Sequence, residues 1–217
     1  MAVIKTQIGA IELQSYFKKP PLSSESHLEQ LAQKCLDTFS GYGLRPTQIF
    51  VKGEGQPFAY ELSFQLFNGN GTFKLNAEKC EMQFQNAISD KDVEVIEDCL
   101  SKIYQDLPLP DIGATSITAY AHATMSSSEE LDGYLRRYAD PTRNIISGGT
   151  IIYVVNVGWP EQIRLQVDRS LTYANGVFLH WTTTHKEGKL PKAVLQKLNA
   201  AFTQCVEKAD LSFPKTK

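Results

Sequence analysis

"GQPFAYELSF" runs from Gly55 to Phe64, and "GWPEQIRLQV" runs from Gly158 to Val167. Each has a glycine, one residue, a proline, and then apolar residues at every second place. Proline fixes its own backbone and donates nothing to a strand ladder, so it belongs to the lead-in. The alternation after it is the period of a strand with one face buried. One chain thus makes the same turn-then-strand twice, with Gly55 and Gly158 standing 103 positions apart. Leu62 and Leu165 share that offset.

Other matches follow in the same order. "IGAIE" from Ile8 and "IGATS" from Ile112 are 104 apart, as are "SSE" at Ser23–Glu25 and at Ser127–Glu129. Each SSE opens a helical pattern, and Leu31 matches Leu135 at that same offset of 104. A recurring offset of this size indicates an internal duplication, which decides the fold before any single element does.

The first half reads as an extended stretch, then a helix with Leu28, Leu31, Cys35, Leu36 and Phe39 on one stripe. Gly41 and Gly43 end that helix. "TQIFVKG" is a strand, and Tyr60, Leu62, Phe64 and Leu66 alternate with polar residues in the next. "NGNG" at Asn68–Gly71 is a hairpin signal. Phe73, Leu75 and Ala77 share one parity and Cys80, Met82 and Phe84 the other, which puts a turn or bulge near Glu78–Lys79. A second helix carries Val93, Ile96, Leu100, Ile103 and Leu107 on one side. "LPLPD" at Leu107–Asp111 is the junction.

The second half repeats the plan: an extended stretch over 113–124, a short helix over 128–139, and strands around Ile163, Leu165 and Val167. Asn175–Gly176 is a hairpin signal, and a last helix turns Val194, Leu195, Leu198, Phe202, Cys205, Val206 and Ala209 inward. "TIIYVVNV" is apolar on both faces, the pattern of a central, fully buried strand. The fold class is therefore α+β: a tandem duplication of a strand–helix–strands–helix unit, with antiparallel sheets, helices on one face and a pseudo-twofold relation. The repeats span 1–107 and 108–217. In element order the plan is similar to duplicated effector-binding modules of the GyrI-like group and to chaperone-type α+β sheets. No motif singles out a family.

The chain has 217 residues, a formal net charge of −2, and is 42% hydrophobic and 21% charged. That is an ordinary globular composition with no broad positive field for nucleic acid. The stretch "AVIKTQIGAIELQ" after Met1 carries charged and polar residues every few positions, so it is neither a signal peptide nor a membrane span. Cys35, Cys80, Cys99 and Cys205 form no CxxC pair and have no histidine at ligand spacing, which points to core packing in a reducing, cytoplasmic setting. No metal site and no cofactor are expected.

The glycines of "GEG" and "NGNG" are followed by strands, not by the helix N-terminus a phosphate cradle needs. No serine or cysteine sits in an elbow motif, so catalysis is not the leading reading. Three features remain. "YLRRYADPTRN" sets Arg136, Arg137 and Arg143 among Tyr134 and Tyr138, the side chains that most often anchor interfaces. Tyr120 and His122 share one strand parity, and Phe178 and His180 another, so all four fall on the less apolar side of their strands. Trp159 sits in a turn. The lack of a catalytic constellation, a cofactor loop and a basic field leads to a non-catalytic protein-binding module of adaptor, chaperone or inhibitor type, acting through an open sheet face or the cleft between the halves, with the arginine cluster as its first local candidate. The alternatives are a small-molecule effector module whose groove between the halves is lined by Tyr120, His122, Phe178 and His180, or an enzyme using His122 or His180 as base. A protein partner is expected and a homodimer is left open; nucleic acid and membrane are not expected.

Overall fold

The computed structural model describes residues 7–19, 25–53, 60–85, 90–137, 149–155, 160, 162–186, 190, 193–209 and 211. Residues Ile11–Ile117 with Thr184–Val194 make one compact unit. Met1–Ala10, Thr118–Thr183 and Leu195–Lys217 make the other.

The first unit holds β1 (Gln7–Phe17) from Ile11 on, α1 (Glu25–Phe39), β2 (Ile49–Lys52), β3 (Glu61–Leu66), β4 (Gly71–Asn76), β5 (Lys79–Gln85), α2 (Asp90–Asp106) and the opening of β6 (Ile112–Thr124). Neighbouring strands run in the order β2-β3-β4-β5-β1-β6. The β2–β3, β3–β4 and β4–β5 ladders are antiparallel. Leu62, Phe64, Leu66, Phe73, Leu75, Ala77, Cys80, Met82 and Phe84 are buried, and the side chains that alternate with them within each strand are not. The buried set meets the helices. Phe39 of α1 lies 5.6 Å from Phe64, which stacks on Phe73 at 4.5 Å.

The turns follow the sequence. After α1 a short 3-10 turn ends at Gly43, whose φ of 84° is open to glycine at little cost. At the tip between β4 and β5 the Asn76 side chain accepts from the backbone amides of Glu78 and Lys79, both at 2.9 Å. This turn accounts for the parity change expected near Glu78–Lys79.

The second unit holds the rest of β6, then α3 (Ser128–Arg136), β7 (Gly149–Val155), β8 (Gln162–Arg169), β9 (Gly176–Lys186) as far as Thr183, and α4 (Val194–Lys208) from Leu195 on. Its strand order is β6-β9-β8-β7. The β7–β8 and β8–β9 ladders are antiparallel. At the start of α3 the Ser127 hydroxyl accepts from the Glu130 amide at 3.2 Å, and the Glu130 carboxylate accepts from the Ser126 amide at 3.0 Å. This is a capping box displaced by one residue. Ile163, Leu165, Val167, Val177, Leu179 and Trp181 are buried, with Trp181 stacked on Phe202 of α4 at 5.2 Å.

Two expectations change. The apolar run of β7 does not stand at the centre: β7 ends the strand order and pairs only with β8 among the described strands. Apolar residues at both parities do not fix how many edges of a strand are paired. The two opening stretches also do not occupy equivalent places. Counting from β1, β3 is the fourth strand of its unit; counting from β6, β8 is the third of its own. Alternation with a leading proline marks a strand near a turn, and several strands of an antiparallel sheet meet that description. The fold class itself stands: α+β with antiparallel strands and, among the described residues, four α-helices.

Candidate functional site

In the second unit the side chains of β6, β8 and β9 that face away from α3 and α4 are half-buried. They include Tyr120 and His122 on β6, Phe178, His180 and Thr182 on β9, and Arg164, Gln166 and Asp168 on β8. The register sets Gln166 opposite His180 and Asp168 opposite Phe178. Because side chains on one face of paired strands stand about 5 Å apart, the rings come into contact. Tyr120 stacks on His180 at 4.9 Å with 13° between the planes, and lies 5.9 Å from Phe178. His122 lies 5.1 Å from Phe178 and meets the edge of Tyr173 at 5.3 Å. The four residues that parity selected therefore form one row. Tyr173 extends that row toward Leu171, a fully exposed apolar residue in the β8–β9 turn.

Beside the row runs a polar ladder. The Arg164 guanidinium donates to Gln166 at 3.2 Å, and the Gln166 amide donates to the Asp168 carboxylate at 2.6 Å. Arg169 pairs with Asp132. The corresponding face of the first unit is more polar, with Tyr16 and Phe50 exposed on it. Glu12, Gln14, Glu61, Ser63, Thr72, Lys74, Lys79 and Glu81 alternate there with the buried set, and Lys79 pairs with Glu81 at 2.7 Å.

Burial holds the His122 imidazole below its ordinary value of 6.5. Burial also lowers His180, helped by the Arg164 cation and opposed by the Asp168 carboxylate. Among the described residues His122 meets the Ser170 hydroxyl and the Tyr173 and Phe178 rings. A depressed folded-state value means that below about pH 6.5 the unfolded chain binds more protons than the folded one. Stability present above that pH is lost as pH falls through the folded values. The melting temperature should drop between pH 7 and 5.5, and His122→Gln with His180→Gln should flatten that drop. An unchanged slope in the double variant rules out these two histidines as its source.

The arginine cluster divides. Arg136 ends α3 and Arg137 is its C-cap, both exposed, where a cation meets the negative end of the helix dipole. Tyr134 is not at the surface, as an interface anchor would be. It is 5% exposed, on one stripe with Leu131 and Leu135, and its hydroxyl donates to the Ala209 carbonyl at 2.9 Å. Tyrosine at an i, i+3 spacing from a core leucine packs as a core residue, and its polar tip finds a backbone acceptor. Tyr138, Arg143 and Trp159 lie outside the described residues.

Sequence reasoning missed Ser170 and Tyr173, which belong to this face through contacts with His122. Nothing local signals them, because His122 is 48 positions from Ser170. In the first unit a cleft of about 310 Å³ opens at the α2–β6 junction, lined by Lys18, Tyr104, Leu107, Leu109, Asp111 and Ile112 among others. All four cysteines are free and buried. Burial pushes the Cys35 and Cys99 thiols up to about 12 and Cys205 to about 11. Thiols held that far above neutrality are not nucleophiles. Among the described residues no three His, Cys, Asp or Glu side chains are grouped as metal ligands. No described helix is long and apolar enough to cross a membrane.

No family model matches the chain, and no curated protein sequence is similar to it. Among solved structures, the rolling circle replication initiator protein from Geobacillus stearothermophilus aligns over 92% of this chain and 79% of its own, at 8% identity and a TM-score of 0.29. A likeness at that level carries no functional reading.

Proposed function

We propose that this chain is a non-catalytic, cytoplasmic module that binds another protein through the open sheet face of its second unit. The single observation behind this reading is the ring row of Tyr120, His122, Phe178 and His180 on the face away from the helices. Aromatic side chains give large contact area at little entropic cost, which is why they dominate binding hot spots. The cytoplasmic setting is supported by four buried thiols that are not in disulfides.

The tandem origin belongs to the same reading, with the repeats meeting between Leu107 and Pro108. Element order supports it: β1-α1-(β2)-β3-β4-β5-α2 and β6-α3-β7-β8-β9-α4. So do the orders β3-β4-β5-β1 and β7-β8-β9-β6 within the units. In this matching β3 corresponds to β7 and β2 is the extra strand, so the offset of 103 relates neighbours, not equivalents. Rings stand on the open face of both units, Tyr16 and Phe50 on the first and Tyr120, His122, Phe178 and His180 on the second, where they touch one another.

Phe178→Ala should weaken partner capture at least tenfold, about 1.4 kcal/mol, with little change in melting temperature, because Phe178 is half-exposed. Replacing Arg136, Arg137 and Arg143 together with alanine should also weaken capture. Pull-downs with wild type and both variants decide the matter. Equal recovery with Phe178→Ala removes the ring row, and equal recovery with the triple variant removes the arginines. A second reading, a small-molecule site, has its own support in the cleft beside Tyr104. Its volume is near the lower end for ligand pockets.

A further inference from the structure

The β8–β9 turn fixes the chemistry of the binding row. Ser170 is 6% exposed, and its Oγ accepts from the amides of Thr172 at 3.1 Å and Tyr173 at 3.0 Å. A hydroxyl has two acceptor positions and one proton. Both acceptor positions are taken, so the proton is what remains for the third contact, His122 Nδ1 at 3.0 Å. If Nδ1 carried a proton, three donors would converge on two lone pairs, and the serine proton would be left buried without an acceptor. Nδ1 must therefore accept, and the imidazole proton must sit on Nε2.

We propose that Ser170 locks His122 as the Nε2–H tautomer, so that the binding row presents one fixed hydrogen-bond donor whose partner atom is a neutral oxygen acceptor, as a peptide carbonyl supplies. This rests on the protein-binding reading above. Charge on the face favours a neutral acceptor over a carboxylate. Asp168 stands opposite Phe178, the ring that His122 touches, while Arg164 stands further along the ladder opposite Thr182 and Arg169 is paired with Asp132, so among these charges the Asp168 carboxylate is the one beside His122. A carboxylate would also meet Asp168 across the Phe178 ring.

The full-length protein labelled with ¹⁵N tests this in two steps. Long-range proton–nitrogen correlation at pH 7.5 should show His122 protonated on Nε2, with Nδ1 accepting. A proton on Nδ1 overturns the lock whatever the protein binds. In Ser170→Ala the two tautomers should mix. That variant can disturb the turn, so the wild-type spectrum stands as the deciding measurement. Titration with a blocked, uncharged tripeptide should then shift the His122 ring resonances, and acetate should not. Shifts with acetate alone overturn the neutral acceptor. Shifts with neither overturn the acceptor partner but leave the tautomer as measured. Loss of capture in Phe178→Ala concerns the row as a whole and is read separately.

Discussion

Phe64→Ala lowers stability by about 3–5 kcal/mol, the range for emptying a fully buried aromatic position. Phe64 is 1% exposed, in β3, with Leu62 and Leu66 at its sides on the same face. Its ring is stacked on Phe73 at 4.5 Å and 16°, and packs on Phe39 of α1 at 5.6 Å. Removing it deletes apolar transfer energy and leaves a void between a strand and a helix. Neither neighbouring ring closes the void without leaving its own rotamer. Ser63 next to it points to the polar face, so Ser63→Ala should change stability by no more than about 0.5 kcal/mol. Urea unfolding of the two variants reads the contrast. Similar midpoints for both would mean that β3 does not pack as described.

Ser15→Ala costs about 1–3 kcal/mol, the penalty for leaving buried hydroxyls short of a partner. Ser15 of β1 and Thr115 of β6 are both 0% exposed, and their hydroxyls lie 2.9 Å apart. Tyr104 of α2 reaches the Ser15 hydroxyl at 2.7 Å. Three hydroxyls thus satisfy one another where β1, β6 and α2 meet. Removing the middle one leaves two polar groups facing an apolar site. Replacing all three, with Ser15→Ala, Thr115→Val and Tyr104→Phe, removes the groups needing partners as well as the bonds. The triple variant should recover most of the loss. A triple variant no more stable than Ser15→Ala would show that the cluster adds stability beyond mutual satisfaction.

Most of the candidate face was legible before the fold was known. Tyr120 with His122, and Phe178 with His180, fall on the half-exposed parity of their strands, and side-chain alternation is a local property of the backbone. That the two pairs touch was not legible, because β6 and β9 become neighbours only through the order of the sheet. Tyr134 was misplaced for the same reason. Residue type and helix end suggest a surface anchor, but the carbonyl that receives its hydroxyl belongs to Ala209, 75 positions away.

By itself the sequence determined what depends on near neighbours along the chain. It set the helix stripes from Leu28 to Phe39 and from Val194 to Ala209, the glycine stop at Gly43, and the parity of β3 and β9. These follow from backbone periods of 3.6 and 2, which need no distant partner. Tertiary structure alone decided which strands are adjacent, why β7 stands at the end of an order instead of its middle, and that Ser170 reaches His122. Those contacts join residues separated by many tens of positions. Their free energy appears only once the intervening chain has closed, so no local pattern encodes them.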